Sequence, residues 1–596
     1  MGSRGIRATT GQILTAWIFI LVIPMAGWGQ KAVPGIQTTP GSGVEIALFE
    51  YFSETPLYSS VPLQVHIQND SGRDRTWSLL ASVRTEQRED SGKSRSDWEF
   101  PVPDGEKKVF EIMVPVLPPP GSLQKFSREL SLVLSLSGYG IRGEARLSST
   151  SVKSENPPLA MSETIGASSW GLLEQHFKKS GGPHALLGGQ FDPMFLPSDW
   201  RGYTGYHSIW MASEDWLKAD PSSKNALSDW VAQGGHLYIA CADREAQVVR
   251  SLKLPGGGNA EKWSHGLGTI RIVPWDEEGI DVEEVAIEIR ENRGYFHQDL
   301  SELYSGWTLV DALEPIEIRP GFILMFVILF AILVGPINLF VFCRKGKQVR
   351  LFWTTPALSV GASLLLALLI VLDDGFGGVG QRVTTVVLLS EEKQSVVIQE
   401  QVCRTGVLLD RGFEVEEPLL ISPIPLTQQG SVQCREVSSV ASQHHGDWFS
   451  SRAIQAQYAQ TLRPTRARLQ VFQGAGQGSD PPTVLSSIDA HLDTLFILDE
   501  EHEVWRADSV RVGTKTQLVQ CSFNDFKGWR ASLEIGGRTR TVIDLHLESG
   551  SPIFIAFSKG PNKDAIALFE GLDWNQAGTF YMGEWRFESE TPRIDL

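Results

Sequence analysis

Residues 321–372 decide the architecture of this chain, because two long apolar runs flank a short basic stretch. The sequence there is GFILMFVILFAILVGPINLFVFC (321–343), RKGKQVR (344–350) and LFWTTPALSVGASLLLALLIVL (351–372). Neither apolar run contains a charged residue, and about 20 such residues cross the ~30 Å hydrocarbon layer of a bilayer. The pattern therefore predicts two transmembrane helices, residues 321–343 and 351–372, joined as a hairpin.

The stretch between the runs carries four cations and no anion; the cations are Arg344, Lys345, Lys347 and Arg350. Short loops rich in Lys and Arg stay in the cytoplasm. We therefore expect residues 344–350 to form a cytoplasmic loop, with the chain before 320 and after 375 outside the cytoplasm. The alternative, two buried helices of a soluble core, requires these cations to be hidden in a tight turn.

The N-terminus indicates export. Arg4 and Arg7 precede an apolar run over residues 13–25, and small residues follow up to Gly29. This order predicts a signal peptide over residues 1–29, with an uncleaved anchor as the alternative. Export and the basic loop agree on orientation, so we expect a multi-pass protein of the bacterial inner membrane whose large parts are both extracytoplasmic.

The composition excludes several classes of protein. The 596 residues carry a net charge of −17, with 42% hydrophobic and 21% charged residues and five cysteines. This balance argues against a nucleic-acid partner and against intrinsic disorder. The few cysteines, without a C-x-x-C pair, argue against a disulfide scaffold or a structural zinc site. We expect no cofactor and no metal, and a length sufficient for three or four domains.

Alternating apolar and polar residues predict β-structure on both sides of the hairpin. Stretches at 44–49, 63–67, 109–114 and 130–134 predict an immunoglobulin-like β-sandwich over residues 40–152. Stretches at 383–388, 494–498 and 553–557 predict two β-rich domains, residues 383–474 and 480–596. We interpret the glycine-rich residues 375–380 as a linker.

Residues 158–313 show a different pattern, in which strands and helices alternate. Strands are predicted at 185–187, 206–211 and 236–241. A helix capped by Ser222 places four apolar residues on one face and ends at Gly234-Gly235; they are Ala226, Leu227, Trp230 and Val231. Strand, helix, Gly-Gly and strand at this spacing predict a βαβ unit and a parallel sheet.

Several motifs here resemble a known group of proteins. Residues 196–203 (LPSDWRGY), 212–216 (ASEDW) and 234–237 (GGHL) resemble the class I glutamine amidotransferase-like, flavodoxin-like domain of uncharacterised bacterial inner-membrane proteins. The resemblance extends to residues 335–338 (GPIN) and 353–356 (WTTP) and covers roughly residues 158–375. It implies an α/β domain followed by a transmembrane hairpin, and it implies no particular activity.

Candidate site residues follow two of the predicted strands, where sites of doubly wound sheets form. Glu214 and Asp215 follow one strand, and Asp243 follows Cys241 at the end of another. An amidotransferase nucleophile requires glycines on both sides of its cysteine, but Cys241 has Ile239 and Asp243 there. His297 and Asp299 have the His-x-acid spacing of a catalytic partner, with Asp where Glu is expected. We therefore expect a degenerate, non-catalytic domain.

Three further features are open at this stage. Cys403 and Cys434 are both exported under this topology, where the oxidising compartment allows a disulfide between them, with Cys521 as a competitor. His444, His445 and Asp447 indicate either a surface loop or a metal site. Asn338 requires a polar partner inside the membrane, on the second helix or at a carbonyl freed by Pro336.

These patterns favour a non-enzymatic envelope protein, whose exported domains bind protein partners beside the membrane that anchors them. One alternative is an exported hydrolase or amidase that uses Cys241 as its nucleophile or an acidic pocket at Glu214, Asp215 and Asp243. The other is an extracytoplasmic ligand sensor. The small cytoplasmic loop weakens the sensor hypothesis, because it leaves no room for an output domain.

Overall fold

The structure is a computed structural model that describes most of the chain between residues 31 and 588. The described residues are 31–57, 59–85, 93–116, 129–150, 158–179, 188–241, 248, 252, 262–275, 281, 283, 285–286, 296, 303–304, 307–313, 320–342, 348–409, 412–424, 426, 436–440, 443–473, 481–499, 503–533, 537–548, 550–560 and 563–588. The predicted signal peptide and the cations Arg344, Lys345 and Lys347 lie outside them. Most of the regular structure is β-strand, and the strands form several sheets.

The N-terminal unit consists of two larger antiparallel sheets around one core and a short antiparallel pair of strands. Its strands are β1 (Lys31–Ala32), β2 (Gln37–Thr38), β3 (Val44–Glu50), β4 (Ser59–Asn69), β5 (Arg75–Thr85), β6 (Lys93–Val102), β7 (Glu106–Val116), β8 (Glu129–Ser137), β9 (Ile141–Arg142) and β10 (Glu144–Thr150). One larger sheet has the order β1-β3-β4-β7, the other contains β10-β8-β5-β6, and β2 pairs with β9. Leu63 and Ile112 of the first sheet and Trp77 of the second share one apolar cluster. The four strands predicted from alternation here are confirmed.

The α/β unit is built on a sheet whose four central strands are parallel. Its elements are β11 (Leu159–Ser162), α1 (Glu163–Lys179), β12 (Gln190–Phe191), β13 (Ser208–Ala212), α2 (Ser213–Lys218), α3 (Pro221–Ala232), β14 (His236–Cys241), β15 (Lys262–His265) and β16 (Gly268–Pro274). The strand order is β12-β11-β13-β14-β16-β15, in which only β15 is antiparallel to its neighbour. Short 3-10 turns occur at Trp200–Tyr203 and Thr308–Val310.

The predicted βαβ unit is confirmed, with one correction at the start of its helix. Asp220 caps α3 by accepting a hydrogen bond from the Ser222 backbone N–H, whereas we predicted Ser222 as the cap. The difference arises because Pro221 occupies the first helical position, where no backbone N–H is needed. All four predicted apolar residues of α3 are buried, and Gly234 has a φ of +117° just after the helix. The strand predicted at 185–187 lies outside the described residues, and β11 is an additional strand.

Two apolar helices follow the α/β unit. The first, α4 (Pro320–Ile332), continues as a π-helical segment, Leu333–Phe342, which contains Pro336. Proline cannot donate the regular helical hydrogen bond, which accounts for the altered winding. A 3-10 turn (Gln348–Arg350), in which Arg350 is exposed, leads into α5 (Leu351–Asp374).

One of these helices is long and apolar enough to cross a membrane, over Leu324–Val341. The corresponding apolar stretch of α5 is shorter, Leu351–Leu366. The second transmembrane helix therefore stays a prediction. The polar partner that Asn338 requires is on the second helix, because its Nδ2 donates to Thr355 Oγ1 at 2.9 Å.

The C-terminal unit is a large sheet with smaller β-structure and two helices around it. Its elements are β17 (Gly378–Leu389), β18 (Gln394–Thr405), β19 (Phe413–Glu414), β20 (Leu419–Ile424), β21 (Glu436–Val440), β22 (Gln443–Gly446), β23 (Ile454–Pro464), β24 (Leu469–Phe472), β25 (Thr483–Ser486), β26 (Leu492–Leu498), β27 (Val504–Val510), β28 (Lys515–Gln517), β29 (Val519–Cys521), α6 (Phe523–Ser532), α7 (Gly537–Glu548), β30 (Ile553–Ser558), β31 (Asp573–Glu584) and β32 (Phe587–Glu588).

Nine of these strands form one sheet, in the order β20-β23-β18-β17-β31-β30-β26-β27-β29. Strands from both sides of the predicted domain boundary at 474–480 join it, so that boundary does not divide two sheets. Part of the predicted glycine linker is also strand, because β17 begins at Gly378. The three strands predicted by alternation in this region are confirmed, whereas α6 and α7 are additional helices.

The three units outside the apolar helices pack against one another. β21 of the C-terminal unit pairs with β6 of the N-terminal unit, in parallel. Trp230 of the α/β unit and Phe496 of the C-terminal unit belong to one apolar cluster, which also includes Phe52 of the N-terminal unit. Gln460 Nε2 donates to the backbone carbonyl of Gln233 at 3.0 Å. The chain before the hairpin and the chain after it thus share a common core.

Candidate functional site

The carboxyl edge of the parallel sheet is the first place to look for a site. β13 and β14 pair in register, with Ala212 opposite Ala240, so the residues that follow them lie at one edge. β11 ends at the same edge, because Met161 pairs with Trp210. In doubly wound sheets this edge holds ligands, beside the strand where the order reverses. Here that strand is β11, which lies between β12 and β13.

Acidic residues gather along this edge. Glu214 is exposed, whereas Asp215 is buried, and its Oδ1 lies 3.4 Å from Lys218 Nζ. Glu163 and Asp192, which directly follow β11 and β12, complete the group. Burial raises the pKa of Glu163, and the charges of Asp192 and Asp215 raise it further. The sequence prediction missed Glu163 and Asp192 because it placed the first strand elsewhere; Asp243 lies outside the described residues.

Cys241 and the described histidines on or beside the strands of this unit lie at opposite ends of the sheet. It is buried at the end of β14, and His236 begins the same strand. At about 3.3 Å per residue the two α-carbons are about 17 Å apart. The rings of His207 and His236 lie 5.0 Å apart at the amino edge. His297 and Asp299 lie outside the described residues, so their pairing with Cys241 stays a prediction.

A cavity of about 820 Å³ lies at this opposite, amino edge, between the α/β unit and the C-terminal unit. We call it the interunit cleft. β14, β15 and β16 line one side, and the β17–β18 turn, α7 and the end of β31 line the other. Its titratable lining residues are His236, Lys262, His265, Glu391, Glu392, Arg468, His546, Glu548, Glu584 and Arg586. Sequence reasoning missed the cleft, because its walls come from segments far apart in the chain.

Burial controls the electrostatics of the interunit cleft. It raises the pKa of Glu584, and the nearby carboxylates of Glu391 and Glu392 add to this effect. It lowers the pKa of His265, which the Glu392 charge opposes. It also lowers the pKa of His546, whose Nδ1 donates to the Val542 carbonyl at 2.9 Å. The cleft thus combines neutral imidazoles with both signs of charge, which suits a small polar ligand better than an apolar one.

His265 connects three elements in a polar chain. Its Nε2 lies 3.2 Å from Ser228 Oγ, and its Nδ1 lies 3.7 Å from Glu392 Oε1. The order Ser–His–Glu is that of a hydrolase triad. Ser228, however, lies inside α3, where its backbone N–H belongs to the helix and cannot form an oxyanion site beside a strand-to-helix elbow. The chain is better explained as a contact that joins α3, the β15–β16 turn and the β17–β18 turn.

The remaining candidates have structural surroundings. Cys403 is buried, and burial raises the pKa of its thiol to about 12. Cys434 lies outside the described residues, so the disulfide between them stays a prediction. His444 is buried on β22, where its ring stacks on Phe413 with 4.7 Å between centroids. Over the part of the chain that the structure describes, no group of three His, Cys, Asp or Glu residues is arranged to hold a metal ion.

Comparison with known proteins adds little to these observations. No protein family model matches the chain, and no curated protein is similar to it. Among solved structures, a Paenibacillus cycloisomaltooligosaccharide glucanotransferase shares 8% identity over 35% of this chain and 28% of its own, with a TM-score of 0.16. A Bacteroides uniformis beta-glucuronidase shares 10% identity over 35% and 24%, with a TM-score of 0.14.

A beta-D-mannosidase from Dictyoglomus thermophilum shares 9% identity over 83% of this chain and 76% of its own, with a TM-score of 0.16. This chain spans only about a quarter of the length of the first two structures. Likeness at this level supports no conclusion about fold or activity.

Proposed function

We propose that this protein is a non-enzymatic, membrane-anchored envelope protein whose exported units bind protein partners in an inner-membrane assembly. The observation that carries the proposal is the helix over Leu324–Val341, of which only 6% is buried within the protein. Leu329 and Phe340 are 57% and 72% exposed. An apolar surface of this length is stable only when lipid or another protein covers it.

The packing of the extramembrane units supports a hairpin over a single crossing. The α/β unit precedes the helices and the C-terminal unit follows them, yet both contribute to one apolar cluster. Two units with a common core lie on one side of a bilayer, so the chain between them crosses an even number of times. α5 is the second crossing in this proposal, and the Asn338–Thr355 hydrogen bond joins it to the first.

The basic loop supports the orientation. Arg344, Lys345, Lys347 and Arg350 are concentrated in the connection between the two helices. Under the positive-inside rule this connection is cytoplasmic, and the three extramembrane units are therefore extracytoplasmic. The bacterial inner membrane is the compartment that fits this orientation together with an exported N-terminus.

The strand order supports a flavodoxin-like topology for residues 158–313, while the amidotransferase-like assignment rests on the sequence motifs alone. Numbered along the chain, the first four strands of this sheet have the order 2-1-3-4, as in flavodoxin-like sheets. The two packed antiparallel sheets of the N-terminal unit likewise support an immunoglobulin-like interpretation. Both types of domain are widespread as binding modules, and neither implies an activity.

The surroundings of Cys241 favour a domain without catalysis. A reactive cysteine requires a neighbouring base, and the histidines His207, His236 and His265 lie at the other edge of the sheet. Replacing Cys241 by Ala should therefore leave function and protein level unchanged. Loss of function at a normal protein level would favour the hydrolase alternative.

Co-purification tests the proposal. The full chain, tagged at its C-terminus and extracted in mild detergent, should retain stable envelope partners at a fixed ratio. The Cys241→Ala variant should retain the same partners. A chain that purifies alone, after chemical cross-linking in cells as well as without it, would contradict the assembly role.

The interunit cleft favours a second function, extracytoplasmic ligand sensing. A cavity of about 820 Å³ with charged and neutral polar groups is large enough for a small metabolite. A ligand that binds only the folded protein raises its melting temperature. A panel of small polar metabolites should then include a compound that stabilises the detergent-solubilised chain but not a Glu392→Gln, Arg586→Gln variant.

A further inference from the structure

We propose that the hairpin-proximal end of the C-terminal unit rests directly on the bilayer, with Phe376 and Leu409 inserted among the lipid headgroups. We call this end the rim; it comprises residues 375–379, 404–409 and 451–454. The inference rests on the proposed membrane anchor and adds a second contact between protein and lipid.

Backbone hydrogen bonds hold the three segments of the rim together. Val407 N donates to the Gly375 carbonyl at 3.0 Å, and Arg452 N donates to the Gly406 carbonyl at 2.9 Å. Val379 and Ile454 flank Arg404 in register across three neighbouring strands. The rim is therefore one continuous surface of the unit.

The rim exposes large apolar side chains. Phe376 is 65% exposed and Leu409 is 88% exposed, and Val379 and Ile454 are each 37% exposed. Beside them a cavity of about 580 Å³ is lined largely by apolar residues, among them Leu408 and Phe569. A contiguous apolar patch on an exported unit indicates a surface that a partner or a membrane covers.

The position of the rim identifies the bilayer as the occupant. Phe376 lies two residues after the end of α5 at Asp374, and two residues span about 7 Å at most. The backbone bond from Val407 to Gly375 keeps the 404–409 segment at the same level. A rim this close to the end of a membrane-spanning helix lies within the headgroup layer, where Phe and Leu side chains insert by about 5–10 Å.

The charges around the rim favour insertion over electrostatic attraction. Arg404 and Arg452 belong to the rim, Glu414 and Glu570 line the neighbouring cavity, and three further acidic residues adjoin the rim in sequence or register, Asp373, Asp374 and Asp573. Because this local sum is not positive, contact with lipid should not depend on anionic headgroups. We expect the same contact in pure phosphatidylcholine and in mixtures with phosphatidylglycerol.

The opposite end of the same sheet offers a matched control. β17 and β31 run parallel, from the rim to the far end of the unit, about 40 Å away for twelve residues of strand. Phe587 lies just beyond the far end of β31 and is 50% exposed. Phe376 and Phe587 are thus similarly exposed side chains of the same type at different distances from the proposed membrane surface.

Photo-cross-linking tests the inference in the full chain reconstituted into phosphatidylcholine bilayers. p-Benzoylphenylalanine replaces Phe376, Leu409, Phe587 or, within the span, Phe340, and lipid adducts are measured by mass spectrometry after irradiation. We expect adducts at Phe340, Phe376 and Leu409, and only background at Phe587. All four positions are exposed, so an unchanged melting temperature verifies that each variant folds.

The other outcomes separate the two proposals. Adducts at Phe340 with background at Phe376 and Leu409 would overturn the rim contact and leave the anchor intact. Background at Phe340 would overturn the anchor and the rim contact together. Equal adducts at Phe376 and Phe587 would contradict the proposed orientation of the C-terminal unit, in which the rim faces the bilayer and the far end of β31 points away from it.

Discussion

At the scale of single residues, burial decides which ionisable groups respond to pH. His444 lies under the ring of Phe413, and burial lowers its pKa from 6.5 to about 4, with smaller contributions from Arg201 and His445. The folded state therefore favours the neutral imidazole. The stability that depends on a neutral His444 is fully present above pH 6.5 and is lost as the pH falls towards 4.

We predict that His444→Gln flattens the pH dependence of unfolding. Between pH 7 and pH 5 the free energy of unfolding of the wild-type protein should fall by about 2 kcal/mol more than that of the variant. This figure follows from the lowered pKa of His444. Urea unfolding monitored by tryptophan fluorescence measures the difference. The exposed neighbour provides the control: His445→Gln should change the slope only slightly, because the His445 charge contributes least to the lowered pKa of His444. Equal slopes for wild type and His444→Gln would contradict the prediction.

Glu400 is the second buried group with a specific role, because it caps α7 from a neighbouring strand. Its carboxyl group accepts hydrogen bonds from Arg538 N at 2.7 Å, from Thr539 N at 3.0 Å and from Thr539 Oγ1 at 2.5 Å. Burial raises the pKa of Glu400, and these donors oppose the rise. An acceptor at the start of a helix also compensates the helix dipole.

We predict that Glu400→Gln destabilises the protein by about 1–3 kcal/mol, because an amide NH₂ replaces one acceptor in front of these donors. The urea midpoint at pH 7 measures the effect. The exposed Glu414→Gln should leave the midpoint unchanged. A midpoint unchanged by Glu400→Gln would mean that this carboxyl group is already protonated in the folded protein.

At the scale of elements, one polar contact joins the two apolar helices. Asn338 is buried, and its Nδ2 donates to Thr355 Oγ1 on the neighbouring helix. Hydrogen bonds between membrane helices contribute about 0.6 kcal/mol on average and up to about 2 kcal/mol. Thr354 faces a different partner, the Arg350 carbonyl of its own segment.

We predict that Thr355→Val weakens the association of the helices by about 0.6–2 kcal/mol, whereas Thr354→Val does not. Unfolding in mixed micelles measures both variants. The effect of Thr355→Val should disappear in an Asn338→Leu background, because the partner is then absent. Additive effects of the two changes would contradict the contact.

Elements with a strong local pattern were predictable from the sequence. α3 carries its four buried residues at helical spacing before Gly234-Gly235, and β17 and β30 are short runs rich in β-branched or aromatic residues. β11 was not predicted because it has only four residues. α7 was not predicted because it has few apolar residues and is capped by Glu400, which is distant in the sequence. The interunit cleft was not predicted for the same physical reason, because His265 and Glu392 come together only through tertiary packing.

At the scale of the whole molecule, common packing constrains the path of the chain. The units before and after the apolar helices contribute to one cluster, and Gln460 Nε2 binds the Gln233 carbonyl across them. A single crossing would separate these units by a membrane. A hairpin, with its basic connection on the side opposite to the units, avoids this separation.

Protease protection of epitope tags tests this central claim most directly. One tag is inserted at Gly346, within the basic connection, and another follows Leu596 at the C-terminus. In spheroplasts, external protease should remove the C-terminal tag and spare the tag at Gly346, and inverted membrane vesicles should give the reverse. Both tags cleaved from the same side, or the C-terminal tag protected in spheroplasts, would contradict the account.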